Sequence, residues 1–235
     1  MFFKVLEDGL SELGIKINQV QLEKFNRYKE LLKEWNNKIN LTSILDDDDI
    51  AIKHFVDSLS IESYIKGDNI SLIDIGTGAG FPAIPIKIMR EDLNITLLDS
   101  LEKRIKFLDD VIDKLDLSKI IAVHKRAEEL GMDDKYREKL DYATARAVAT
   151  LPVLLEYCLP FVKKGGVFIA MKGSNVDEID DSKNALKILG GEIMDIKEFS
   201  LPKSDYKRNV VLIKKVKDTP KKYPRKAGKP SKIPL

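Results

Sequence analysis

At 235 residues, 43% hydrophobic and 33% charged, the chain has the size and composition of one soluble domain with a small appendage. Its lone cysteine, Cys158, excludes an intramolecular disulfide and points to a reducing, cytoplasmic setting, no apolar run approaches the roughly 18 residues of a membrane span, and the opening MFFKVLEDG turns acidic too soon for a secretion signal. The net charge of +2 hides an asymmetry: Lys203 to Leu235 holds twelve Lys or Arg against two Asp, leaving about −8 on the rest, so one face is expected to meet a polyanion.

Residues 1–65 read as a helical cap. In QLEKFNRYKELLKEWNNKIN the apolar residues Leu22, Phe25, Tyr28, Leu31, Leu32, Trp35 and Ile39 recur on one helical face. The acidic run Asp46 to Asp49 complements the positive start of a second helix carrying Ile52, Phe55, Val56 and Leu59. From Ser71 the rhythm changes. SLIDI, NITLLD, IIAVH, DYATA and GVFIAMK read as buried strands, and EKRIKFLDDVIDKL, LPVLLEYCLPFV and VDEIDDSKNALKIL as helices between them. That alternation predicts a doubly wound α/β fold with a parallel sheet covered on both faces. GEIMDIKEFSLP and RNVVLIKKV are consecutive strands with no helix between, so a final hairpin makes one strand antiparallel and brings the count to seven. Residues 66–216 thus form a Rossmann-like core, and 217–235 a basic, proline-rich segment in which four prolines leave no regular element.

The first strand runs into DIGTGAGFP, with Gly76, Gly78 and Gly80 at alternate positions. In an open α/β sheet ligands sit at the carboxyl ends of the strands, where this loop lies. Asp99 ends the second strand, where a carboxylate can accept from both hydroxyls of a ribose; its alternative role is to cap the helix that follows. Together they predict a nucleoside-containing ligand. The spacing G-x-G-x-G followed by Phe81 and Pro82 departs from the dinucleotide pattern G-x-G-x-x-G. It resembles the loop of class I S-adenosylmethionine-dependent methyltransferases.

The chain also resembles one family within that class, the bacterial 16S ribosomal RNA guanine-N7 methyltransferases (glucose-inhibited division protein B). The resemblance runs through NLTSI, HFVDSL, DIGTGAGFPAIPI, DSLEKRIKFL, RAEEL, TARAVA and the tail TPKKYPRKAGKPSKIPL. It covers essentially the whole chain, with Ala83 where the family most often has glycine. It implies S-adenosyl-L-methionine as cofactor and 16S rRNA or the small ribosomal subunit as partner; a monomer is expected, although the sequence does not give the oligomeric state. It implies cofactor contacts at Gly76, Gly78, Phe81, Asp99, Ser100, Leu101, Ala127, Glu128 and Arg146.

The rest of the chain bears on the chemistry. The D/N-P-P-Y/F motif of exocyclic-amine methyltransferases is replaced by ATARAVA after the fourth strand. Cys158 lies among leucines at helical spacing, as a core thiol rather than the nucleophile a cytosine-C5 enzyme needs. Guanine N7 needs neither device, since it carries an exposed lone pair, so no general base is obligatory. Arg146 is costly at a strand end unless paired: it is a candidate to orient the cofactor carboxylate, guanine O6 or an RNA phosphate, or a structural partner of Asp74 or Glu128. His54 and His124 have no partners at metal-ligand spacing, His124 is expected to pack at its strand end, and no metal is expected. Lys103, Arg104, Lys172, Arg208, Lys221, Lys222, Arg225 and Lys226 are candidate RNA contacts, with Phe81 and Tyr223 as stacking residues. The rival readings are another class I methyltransferase, acting on a different base or a small molecule, and a non-catalytic RNA-binding assembly factor.

Overall fold

The structure, a computed structural model, describes residues 1–173 and 178–235. The chain opens with α1 (Phe2–Glu12) and α2 (Gln19–Asn36). Asn18 starts α2 with a reciprocal cap: its side chain accepts the Gln21 N–H at 2.9 Å, and Gln21 returns the bond to the Asn18 N–H at 3.0 Å. The acidic run then does what its charge implies. Asp46 accepts the N–H groups of Asp48 and Asp49 and starts α3 (Asp47–Ile50). The helix continues through a wider π-helical stretch, Ala51–Val56, into α4 (Asp57–Leu59). Tyr28, Phe25 and Phe55 are fully buried; Tyr28 stacks on Phe55 at 5.4 Å, and Phe25 meets it tilted at 5.0 Å. The cap has no separate core: its apolar face merges with residues such as Ile84, Phe107 and Leu108 on one side of the sheet.

Strands β1 (Ser71–Ile75), β2 (Asn94–Asp99), β3 (Ile120–His124), β4 (Leu140–Arg146), β5 (Val162–Lys172), β6 (Gly191–Ser200) and β7 (Lys207–Lys215) form one sheet in the order β3-β2-β1-β4-β5-β7-β6. All neighbours are parallel except the pairs that β7 makes with β5 and β6. The seven-stranded sheet with a closing antiparallel hairpin is therefore as expected. Strand order reverses between β1 and β4, which opens a crevice at their carboxyl ends. Helices α5 (Ala83–Met89), α6 (Glu102–Lys114) and α7 (Ala127–Leu130) follow β1, β2 and β3. The fourth, α8 (Leu151–Cys158), stops before Pro160, so Val162 starts β5 instead of ending the helix. Of VDEIDDSKNALKIL, Val176 and Asp177 lie outside the described residues; the remainder forms two short helices, α9 (Glu178–Asp181) and α10 (Lys183–Leu189). No described helix is long and apolar enough to cross a membrane.

The terminal segment is more ordered than its four prolines suggest. It wraps the α8 face as a belt and ends in one helical turn, α11 (Lys229–Lys232), with Pro230 near its start, where no N–H is needed. Tyr223, Pro224 and Pro230 are buried. Arg137 donates to the carbonyls of Thr219 and Tyr223, each at 2.8 Å. Lys215, fully buried, pairs with Glu138 at 3.0 Å. Arg225 clasps Glu156, which is 1% exposed.

Candidate active site

The glycine loop leaves β1 with φ of +67° at Gly76, +62° at Gly78 and +90° at Gly80, values that glycine adopts freely and other residues resist. The N–H groups of Gly76 and Thr77 donate to the Leu98 carbonyl at 2.8 and 3.1 Å, which fastens the loop to the end of β2. The three glycines do different things. A methyl on Gly78 would stand in open space, and one on Gly76 would press on Val148 across the crevice at 2.8 Å, so these two keep the strand end bare. A methyl on Gly80 would collide with Ile84 and come within 2.7 Å of Tyr28 Oη; that glycine lets the loop pack beneath α2. Gly80→Ala is expected to lower stability by about 2–4 kcal/mol, from overpacking and a strained φ. An unchanged melting temperature would show that the loop does not lean on the cap.

Asp99 is buried and already held. Its Oδ2 accepts the Gly78 N–H at 3.0 Å and Arg104 at 3.2 Å, and its Oδ1 accepts the Leu101 N–H at 2.9 Å. One acceptor position on Oδ1 remains. Asp99, Ser100, Gly76, Ala127 and Glu128 line one pocket of about 310 Å³. Five of the nine residues expected at the cofactor thus share this pocket; Gly78, Phe81 and Arg146 line the larger cleft beside it, and Leu101 lines neither, its N–H being spent on Asp99. Two residues of the terminal belt, Gly228 and Ser231, complete the wall. Gly228 N–H donates to the buried Glu128 at 2.9 Å, and Ser231 Oγ lies 2.8 Å from Tyr157 Oη.

A larger cleft, about 730 Å³, shares Gly76 and Arg104 with that pocket and runs between the cap and the β6–β7 hairpin. Arg146 reaches it from the end of β4. The structural pairing considered for it, with Asp74 or Glu128, is not what forms: its partner is Asp57 of the cap, at 2.8 Å, and it also donates to Lys53 O and His54 Nδ1 at 3.2 Å. Asp57 takes Arg208 on its other oxygen, again at 2.8 Å. The π-helical stretch brings His54 and Asp57 to the same side of the cap to meet these arginines. Asp74 instead sits fully buried under the loop, accepting from the hydroxyls of Thr77 and Thr144; burial pushes its carboxyl up to about 7 against those bonds.

Phe81 is packed between neighbours: His54 stacks on it at 4.5 Å, and the Arg146 guanidinium lies 4.9 Å from its ring centre. At 5% exposure, and with Tyr223 at 7%, neither ring offers the open face that base stacking requires, which corrects that expectation. The exposed aromatic in the cleft is Tyr206, flanked by Lys53 at 5.0 Å and Arg208 at 5.8 Å. Sequence reasoning passed over Tyr206, Asp57 and Thr42. The first had a signal, an aromatic among cations in a hairpin turn; the other two were legible only as helix and loop polar residues.

The basic candidates divide. Arg104, Lys172 and Arg208 line the larger cleft, where Lys172 pairs with Glu178 at 3.0 Å. Lys103, Lys221, Lys222 and Lys226 are exposed, and Arg225 is taken by Glu156. His124 is exposed rather than packed, donating to Ser100 O at 3.1 Å. Cys158 is fully buried, and burial pushes its thiol well above the ordinary range, so it supplies no thiolate. Among the described residues no group of three His, Cys, Asp or Glu side chains is placed to hold a metal ion.

Residues 21–211 match the family model described as rRNA small subunit methyltransferase G. A ribosomal RNA small subunit methyltransferase G of Acetivibrio thermocellus is 62% identical, over 99% of this chain and 96% of its own length. That of Alkaliphilus metalliredigens is 50% identical over 98% of both. Among solved structures, a SAM-dependent methyltransferase from Aquifex aeolicus superposes with a TM-score of 0.54 at 15% identity, over 77% of this chain and 97% of that one. TYW2 from M. jannaschii, in complex with AdoMet, gives 0.52 at 14%, over 69% and 76%. At those identities the structures establish the fold alone.

Proposed function

The chain belongs to the rRNA small subunit methyltransferase G family, and on that premise we propose that it transfers a methyl group from S-adenosylmethionine to N7 of a guanine in 16S ribosomal RNA. The observation that carries this reading is the joining of two spaces at the bare strand end of Gly76: a nucleoside-sized pocket around Asp99, and a wider cleft between cap and hairpin. The residues fit the cofactor, because Gly76 leaves a cradle that a side chain would fill and Asp99 keeps an acceptor position open.

When bound, S-adenosylmethionine supplies a methyl group on a sulfonium centre, and guanine N7 takes it with its own lone pair. The protein's part is alignment. Asp99 would hold the ribose, Glu128 and Ala127 would border the base of the cofactor, and Gly76 and Gly78 would let the reacting end approach the main chain. No side chain must remove a proton, since N7 carries none. Positive charge grows on the purine as the bond forms. Arg146 and Arg208 both face the cleft, and Asp57, which pairs with both, offsets one of their two charges. Lys103 and the exposed lysines of the terminal belt are free to meet RNA phosphates, whereas Lys172 is paired with Glu178.

Asp99→Ala is expected to weaken S-adenosylmethionine binding by about 1.5–3 kcal/mol, the value of one charge-assisted bond to the ribose. Calorimetric titration of both proteins tests the reading: wild-type affinity in the variant would remove Asp99 from the site, and no binding by the wild type would remove the cofactor.

A further inference from the structure

Thr42 stands in the wall of the larger cleft, on the loop between α2 and α3, with Leu41 and Ile44 as apolar neighbours. Its hydroxyl oxygen has two acceptor positions, and both are taken. The Ile44 N–H donates to it at 3.0 Å, and His54 Nε2 lies 2.8 Å away. The direction of the second bond follows from the other side of the ring. Arg146 faces His54 Nδ1 at 3.2 Å, and a guanidinium can only donate. Nδ1 is therefore the acceptor, and Nε2 carries the proton that Thr42 receives. Burial, reinforced by Arg146, holds His54 neutral by driving its pKa down to about 3. With both acceptor positions filled, Thr42 has only its proton left to offer, and among the described residues no protein acceptor is bonded to it.

We propose that the Thr42 hydroxyl donates to O6 of the acceptor guanine and selects guanine over purines that carry an amino group at that position, with His54 as the residue that positions it. The inference rests on the guanine-N7 reading. On the edge that exposes N7, guanine presents a second acceptor, O6, whereas adenine presents the N6 amino donor. A hydroxyl with no acceptor capacity left bonds the first and is unmatched against the second. Its neutrality also suits the reaction. A hydroxyl can read O6 without placing a full positive charge beside a purine that becomes cationic, whereas Arg146 is already committed to Asp57, Lys53 O and His54.

The test uses small subunits reconstituted with 16S rRNA that carries either guanine or 2,6-diaminopurine at the methylated position. Diaminopurine keeps N7 and the 2-amino group and exchanges O6 for an amine. The wild type is expected to prefer guanine in kcat/KM by at least about tenfold, the scale of one unmatched polar contact. Thr42→Val should bring the ratio close to one, and Thr42→Ser should restore it, with S-adenosylmethionine affinity unchanged in both. If the valine variant does not fold, Thr42→Cys replaces it, because a thiol keeps the size of the side chain but is only a weak donor, and it should lower the ratio. An undiminished ratio in the variant, equal use of the two bases by the wild type, or a matching loss of cofactor affinity would overturn the proposal. Wild-type enzyme that methylates neither RNA would instead overturn the guanine-N7 reading beneath it.

Discussion

Asp57→Ala is expected to reduce methyl transfer by two to three orders of magnitude and to lower stability at the same time. Asp57 is 3% exposed and bonds two arginines, one from β4 and one from β7, to a helix of the cap. Removing one partner of a buried charge pair costs about 3–5 kcal/mol, because the remaining charge is left without compensation. Here two guanidinium groups lose their partner and both face the cleft. Arg146 would no longer be held over Phe81 and against His54, so the wall of the cleft would lose its shape as well as its charge balance. Asp57→Asn keeps the shape and one acceptor and should fall between the two. Turnover and melting temperature measured on all three proteins check this; full activity in the alanine variant would place Asp57 outside the site.

Arg225→Ala separates two readings of the terminal segment. Composition suggested that its cations track an RNA backbone, and Lys221, Lys222 and Lys226 remain exposed and suited to that. Arg225 has a second commitment. Its guanidinium and its own N–H bond Glu156, and the belt beyond it reaches the cofactor pocket through Gly228 and Ser231. Burying Glu156 without its partner should cost about 3–5 kcal/mol, a fall in melting temperature on the order of 10 °C for a chain of this size. S-adenosylmethionine affinity should fall with it, as the wall beside Glu128 loosens. A pure phosphate contact would instead leave the melting temperature alone and lower the log–log salt slope of RNA binding by about 0.7–0.9.

These two residues also mark where the sequence could be read and where it could not. The strands were legible because each is a short apolar run with turn residues at its ends; SLIDI, NITLLD and IIAVH match β1, β2 and β3 residue for residue. The glycine loop and Asp99 were legible because their chemistry is local to the ends of neighbouring strands. Asp57 was not, since its meaning depends on arginines 89 and 151 positions away in the chain. Arg225 shows the same limit from the other side: a cation in a basic run looks solvated until the buried Glu156 of α8, 69 residues earlier, is brought against it. Phe81 follows a glycine loop and reads as a ring open to a ligand, yet His54, supplied by the cap, covers it. Pairing across the sheet crevice depends on how the cap docks, which local patterning does not encode.

Methylation of N7 of a guanine in small-subunit RNA by alignment alone requires no covalent nucleophile. The most direct measurement incubates the protein with methyl-labelled S-adenosylmethionine and small-subunit RNA from cells lacking the enzyme, then maps the label to a base and an atom, with Cys158→Ser run in parallel. One labelled guanine, methylated at N7 by both proteins, is the predicted result. Label on an exocyclic amine or a pyrimidine carbon, or a folded Cys158→Ser protein without turnover, would contradict it.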